Sequence, residues 1–103
     1  MYQAKVYVQT VAATAVLADA NLVAGARPAL LFHVKVSGQG ARTAGSITIE
    51  DLAGVVLHSI EVGAGTYINL HEEFGTPIKS SNGLKVNFDG TLTGPLVVTI
   101  GYQ

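Results

Sequence analysis

From Ser80 to the end, apolar and polar residues alternate with a period of two. Leu84, Val86 and Phe88 are interleaved with Lys85, Asn87 and Asp89, and Leu96, Val98, Ile100 and Tyr102 with Val97, Thr99 and Gly101. A β-strand sends successive side chains to opposite faces, so this period demands strands with one buried face. The Ser80-Ser81-Asn82-Gly83 turn precedes the first run and Gly90 to Pro95 separates the two, which predicts a β-hairpin at the C-terminal end.

The same pattern recurs upstream. From Gln3 to Thr10, Tyr2, Ala4, Val6 and Val8 alternate with Gln3, Lys5, Tyr7 and Gln9, predicting a first strand. Val11 to Ala24 mixes helix-favouring alanines with β-favouring Val11, Thr14, Val16, Leu22 and Val23, and reads as an extended arm or short strand. After the Gly25-Ala26-Arg27-Pro28 break, Ala29 to Ser37 sets Leu30, Phe32, Val34 and Val36 against Leu31, His33 and Lys35, the pattern of a central strand. Gly38 to Gly45 is expected to be a glycine-rich loop. Ser46 to Glu50, with Ile47 and Ile49 inward, should turn at Asp51 to Gly54 and pair with Val55 to Val62. There Val56, His58, Ile60 and Val62 oppose Val55, Leu57 and Ser59. Gly63-Ala64-Gly65 leads into a strand at Thr66 to Leu70, and His71 to Pro77 reads as a polar loop.

Seven or eight short strands with frequent turn signals predict an all-β, single-domain antiparallel sandwich of jelly-roll type. With 103 residues there is room for one domain, residues 1–24 supplying an N-terminal strand and arm and residues 25–103 the sandwich core. No internal repeat interrupts it.

Composition restricts function. Only 13% of residues are charged and the formal net charge is -1, against about 25% charged in ordinary soluble domains. Mean hydropathy is +0.40. A surface this poor in charge is expected to be partly covered by other subunits. Lys5, Arg27, Lys35, Arg42, Lys79 and Lys85 are scattered along the chain, which argues against nucleic acid as a partner. The absence of cysteine excludes disulfides, thiolate metal sites and cysteine nucleophiles. Met1 to Val6 does not read as a signal peptide, and no apolar run is long enough for a membrane-spanning helix.

The chemistry-bearing residues form no recognisable catalytic set. Glu50-Asp51 and Glu72-Glu73 are neighbours whose side chains diverge on a strand, which disfavours acid/base pairs. His71-Glu72-Glu73-Phe74-Gly75 has a glycine where a zinc-binding helix needs its second histidine. His33, His58 and His71 have no spacing that requires a shared metal, and His33 and His58 are assigned to the less buried faces of their strands. Gly38-Gln39-Gly40 and Gly63-Ala64-Gly65 lack the continuation of a phosphate loop and read as connections needing positive φ. Asp89-Gly90 and Asn82-Gly83 are turn dipeptides without a calcium-loop register. Tyr2, Tyr7, Tyr67 and Tyr102 are the material for a sugar-stacking platform, the basis of an alternative reading as a carbohydrate-binding module. No cofactor and no enzymatic activity are expected.

One ordered set of segments carries a resemblance. Gly45-Ser46-Ile47-Thr48-Ile49-Glu50-Asp51, then Gly54-Val55-Val56-Leu57, Thr76-Pro77-Ile78, Asn82-Gly83-Leu84-Lys85-Val86 and Val97-Val98-Thr99-Ile100-Gly101-Tyr102 resembles small structural proteins of tailed-bacteriophage virions, from about Leu30 to the end. The resemblance implies a capsid decoration, or cement, protein on the head surface, bound to the major capsid protein and to copies of itself, with trimers at local threefold positions. A head-to-tail joining or tail subunit is the alternative within the same class. The arm would reach a neighbour, and the candidate partner contacts are Tyr2, Tyr7, Val11, Val16, Leu17, Leu22, Val23 and Tyr67.

Overall fold

The computed structural model describes residues 5–11 and 17–103. They form eight strands: β1 (Lys5–Val11), β2 (Ala20–Val23), β3 (Ala29–Arg42), β4 (Gly45–Glu50), β5 (Val56–Val62), β6 (Gly65–Ser80), β7 (Leu84–Phe88) and β8 (Leu96–Tyr102). Sheet I has the order β1-β8-β3-β6 and sheet II the order β2-β7-β4-β5. Every pairing is antiparallel.

The order follows one rule. The first strand pairs with the last, β2 with β7, β3 with β6 and β4 with β5, so the chain is a long double ribbon bent at β4–β5. The ribbon passes alternately into the two sheets, and the additional pairs β8–β3 and β7–β4 zip its turns together. That wrapping is the jelly roll expected from the strand count.

Between the sheets the alternating apolar faces meet. Leu31, Val34, Val36, Leu96, Val98 and Ile100 of sheet I pack with Ile47, Ile49, Ile60, Val62, Leu84, Val86 and Phe88 of sheet II. Most of these side chains are fully removed from water. Each contributes roughly 1.5–3 kcal/mol relative to exposure.

Several local expectations are corrected by this topology. The C-terminal alternating runs form strands, but β7 and β8 lie in different sheets and do not pair. The intervening Asp89 to Pro95 segment crosses the sandwich, with Leu92 buried in the core and its N–H donating to the Asp89 carbonyl at 2.9 Å. The β4–β5 pair is the expected hairpin, with Ile47 opposite Ile60. Its turn is closed by the Asp51 carboxylate, which accepts from the Ala53 and Val55 N–H groups, each at 2.9 Å.

Two expected loops are strand. β3 runs through Gly38 and Gly40 to Arg42, and β6 runs through the His71 to Pro77 segment. Sequence propensity suggests a break at each place, but the two long strands pair with each other from Ala29–Ser80 to Arg42–Gly65 and supply ladder bonds that outweigh it. The glycines of β3 serve close packing: a Cβ at Gly38 would overlap the Pro95 carbonyl, and one at Gly40 the Pro95 ring. Of the four glycines expected to need positive φ, Gly40 and Gly65 adopt it; Gly38 and Gly63 do not.

β3 also changes phase. A register shift between Leu31 and His33 leaves Phe32 as an extra residue, so Leu31 is buried along with Val34 and Val36. A bulge of this kind moves side chains to the opposite face. The described part of residues 1–24, expected to supply an arm, is built into the sandwich: β1 pairs along its whole length with β8, and β2 with β7.

Candidate interaction surface

Register defines what each outer face presents. On sheet II, Asn21, Lys85 and Glu50 lie in one row, and Asn87, Thr48 and Ser59 in the next. Glu50 accepts a hydrogen bond from Asn87 Nδ2 at 2.7 Å and lies 3.5 Å from Lys85 Nζ. This face is polar apart from the exposed Val56, which pairs with Glu50, and Glu50 ties Asn87 and Lys85 together.

Sheet I differs across its width. On β6 and β3 its outer face carries His71, Glu73, Asn69, His33, Lys35 and Ser37; on β8 and β1 it carries Val97, Thr99, Gly101, Val6, Val8 and Thr10. The β1–β8 half is therefore uncharged and rich in valine, with Val6 59% and Val8 56% exposed. Covering a valine removes apolar surface from water at roughly 25 cal/mol per Å², which favours association at this place.

The phase of β1 explains those valines. Tyr7, Gln9 and Val11 point inward, and Val6 and Val8 point out. Gln9 is tolerated between the sheets because its amide copies a strand bridge: Nε2 donates to the Ala18 carbonyl at 2.9 Å, while Oε1 accepts from the Ala18 N–H at 2.8 Å. Nε2 also lies 2.5 Å from the Tyr7 hydroxyl. With the half-buried Gln9 paired to Ala18 on the inward side of the strand, the valines take the outer face.

The candidate contact residues scatter. Tyr2 and Val16 lie outside the described residues. Leu17 and Val23 are core residues, 3% and 7% exposed, so neither offers a surface to a partner. Tyr7, Val11 and Leu22 are half-buried against the core. Tyr67 is 69% exposed, on β6 opposite Gln39. Sequence reasoning missed Val6, Val8, Val55 and Val56, all more than half exposed. The alternation in β1 has apolar residues in both phases, and the signal that distinguishes them is the long-range partner of Gln9.

The other candidate chemistries do not assemble. Tyr7 and Tyr102 belong to the inward phase of sheet I and Tyr67 to the outward phase, so they build no common stacking platform. His33 and His71 meet edge to face on sheet I, ring centroids 6.1 Å apart, and His71 Nε2 lies 3.4 Å from Glu73 Oε1. His33 sits over Gly101, and its Nδ1 is buried without a hydrogen-bond partner. His58 is elsewhere: on β5 it spans the open side of the sandwich to Glu72 of β6, Nε2 to Oε2 2.6 Å, with Phe74 packed edge-on against its ring at 4.9 Å. Among the described residues no three His, Asp or Glu side chains are grouped as metal ligands. No described helix is long and apolar enough to cross a membrane. An apolar depression of 290 Å³ at one end of the sandwich is lined by Pro28, Ala29, Leu30, Lys79, Ser80 and Gln103.

Comparison with known proteins adds little. No protein-family model matches the chain, and no curated protein matches it. Among solved structures, a chain in a structure of the infectious bursal disease virus Gx strain aligns over 99% of this chain at 13% identity and a TM-score of 0.34. This chain spans 37% of that chain's length. A likeness so low carries no functional weight.

Proposed function

We propose that the chain is a non-enzymatic structural subunit of a virion, acting as a capsid decoration protein of a tailed bacteriophage that binds the head surface and strengthens contacts between capsomers. The observation that carries the reading is a jelly roll filled solid between its sheets, with an uncharged valine-bearing outer face on its β1–β8 half. Jelly rolls serve viral capsids, lectins and cupins alike, so the architecture alone does not choose among them. A cupin-like function needs an open interior, and here that space is occupied by core side chains. A sugar-binding module needs converging aromatic rings, and the described tyrosines diverge. A subunit that works by adhesion needs a packed core and an uncharged contact face, and the filled interior and the exposed Val6 and Val8 support that reading. The segment resemblance to small phage structural proteins favours the same reading, with the major capsid protein and further copies of this chain as partners.

The test is the copy number of this chain in purified particles, by quantitative mass spectrometry against the major capsid protein. Hundreds of copies, near-stoichiometric with the shell, are expected. A dozen or so would replace decoration with a ring at the head-to-tail junction or tail. Absence from particles would overturn the virion reading.

A further inference from the structure

The two sheets have four edge strands, β1 and β6 on sheet I, β2 and β5 on sheet II. An open edge presents unpaired N–H and C=O groups and invites another strand unless something blocks it. Three of the four are blocked. β6 carries His71, Glu72 and Glu73, and its next residues, through Pro77, are out of register with β3. β2 has only 4 residues and is broken by a register shift between Asn21 and Val23. β5 presents Glu61, and His58 is tied across its open side to Glu72.

β1 has none of these protections. It is 7 residues long, contains neither proline nor glycine, and pairs with β8 in an unbroken register. Its one charge, Lys5, sits at the end. Among the described residues no strand pairs along its outer side. The exposed valines, Val6 and Val8, lie on the same strand.

We propose that β1 pairs with β1 of a second copy of this chain, antiparallel about a twofold axis close to Val8, joining the two sheets I into one continuous sheet. Charge placement selects that arrangement. A parallel pairing in register would set Lys5 beside Lys5 of the other copy, and like charges directly opposite are destabilising. Antiparallel pairing about Val8 sets Lys5 opposite Val11 and holds the two lysines about 20 Å apart, well beyond the Debye length of about 8 Å in physiological salt. Val8 then faces Val8 and Val6 faces Thr10, so the uncharged half of each outer face becomes continuous with the other. The pairing consumes the open edge on both copies, so it closes at two subunits and does not propagate. It is a different contact from the threefold association implied by the phage resemblance, and it does not depend on the virion reading, since the isolated chain suffices to test it.

Sedimentation equilibrium of the full chain measures it. The wild type is expected to be a dimer at micromolar concentration. Val8→Lys and Val8→Glu each place two like charges at the axis and are expected to weaken association at least 100-fold, while an equimolar mixture of the two regains a dimer through the opposite-charge pair. Val55→Lys, at an equally exposed valine in the β4–β5 turn, should leave the dimer intact. Circular dichroism checks that each variant is folded, and Val8→Arg or Val8→Asp replaces the lysine or glutamate variant if it is not. A wild type that stays monomeric or forms trimers, a Val8→Lys dimer as tight as the wild type, or a mixture that fails to associate would each overturn the proposal.

Discussion

Gly101 and His33 show how one residue's meaning depends on its neighbour across the sheet. Gly101 occupies an outward position of β8, where sequence alone suggests a tolerant site, yet the His33 ring lies where its Cβ would be. Gly101→Ala should cost about 1–3 kcal/mol from overpacking, and His33→Ala in the same chain should recover most of it. A double-mutant cycle by thermal denaturation reads the coupling; additive losses would mean that the ring moves aside freely. Gly38→Ala should be worse because the obstacle is the Pro95 backbone, whereas Gly63→Ala meets nothing within 4 Å. Asp89 makes a separate case. Hydrogen bonds from the Thr91 N–H and hydroxyl, each 3.0 Å, hold its carboxyl below the ordinary value of 3.8. A carboxylate with a depressed folded-state pKa stabilises above its unfolded value, and the contribution is lost as pH falls through the folded one. Asp89→Asn should therefore destabilise at neutral pH and match the wild type in strong acid; urea midpoints at both would show whether the gap closes.

Among the strands, position in the sheet decides what a valine or isoleucine contributes. β8 lies between β1 and β3 in sheet I and inserts Ile100 into the core, whereas β1 turns Val8 to solvent. Ile100→Ala should lose about 2–5 kcal/mol, and Val8→Ala should stay within about 0.5 kcal/mol in the monomer. Urea unfolding at a concentration below dimerisation gives both values, and equal losses would contradict the assigned phase of β1. Strand existence was legible where the two-residue period survives, as in β4, β7 and β8, but not for the short β2, and in β3 the period breaks at Phe32. Strand length was not: glycines in β3 and the polar stretch in β6 read locally as loops, and only their mutual pairing keeps both extended. The contact surface was largely illegible, since Leu17 and Val23 look like any exposed arm residue until the packing of the second sheet encloses them.

For the whole molecule, topology governs how the chain finds its fold. Among sheet neighbours, β4 and β5 alone are consecutive in sequence; every other pair joins distant segments. Folding should therefore be slow, in milliseconds to seconds, as for other sandwiches dominated by non-local pairing. Nucleation should begin at the bend of the ribbon, so Ile47→Val and Ile60→Val are expected to give higher φ-values in stopped-flow refolding than Ile100→Val. The reverse order would place the nucleus at the closing strand instead. The alternation of side chains is a local property, set by the pleat of an extended backbone, and so the all-β class and the places of most strands follow from residue order, though not β2 or the full lengths of β3 and β6. Which strand pairs with which is not local: β7 and β8 look like a hairpin, yet β7 finds β2 and β4 and β8 finds β1 and β3, with Gln9 meeting Ala18. The outward turn of Val6 and Val8, and with it the interaction surface, arises only when those distant partners meet.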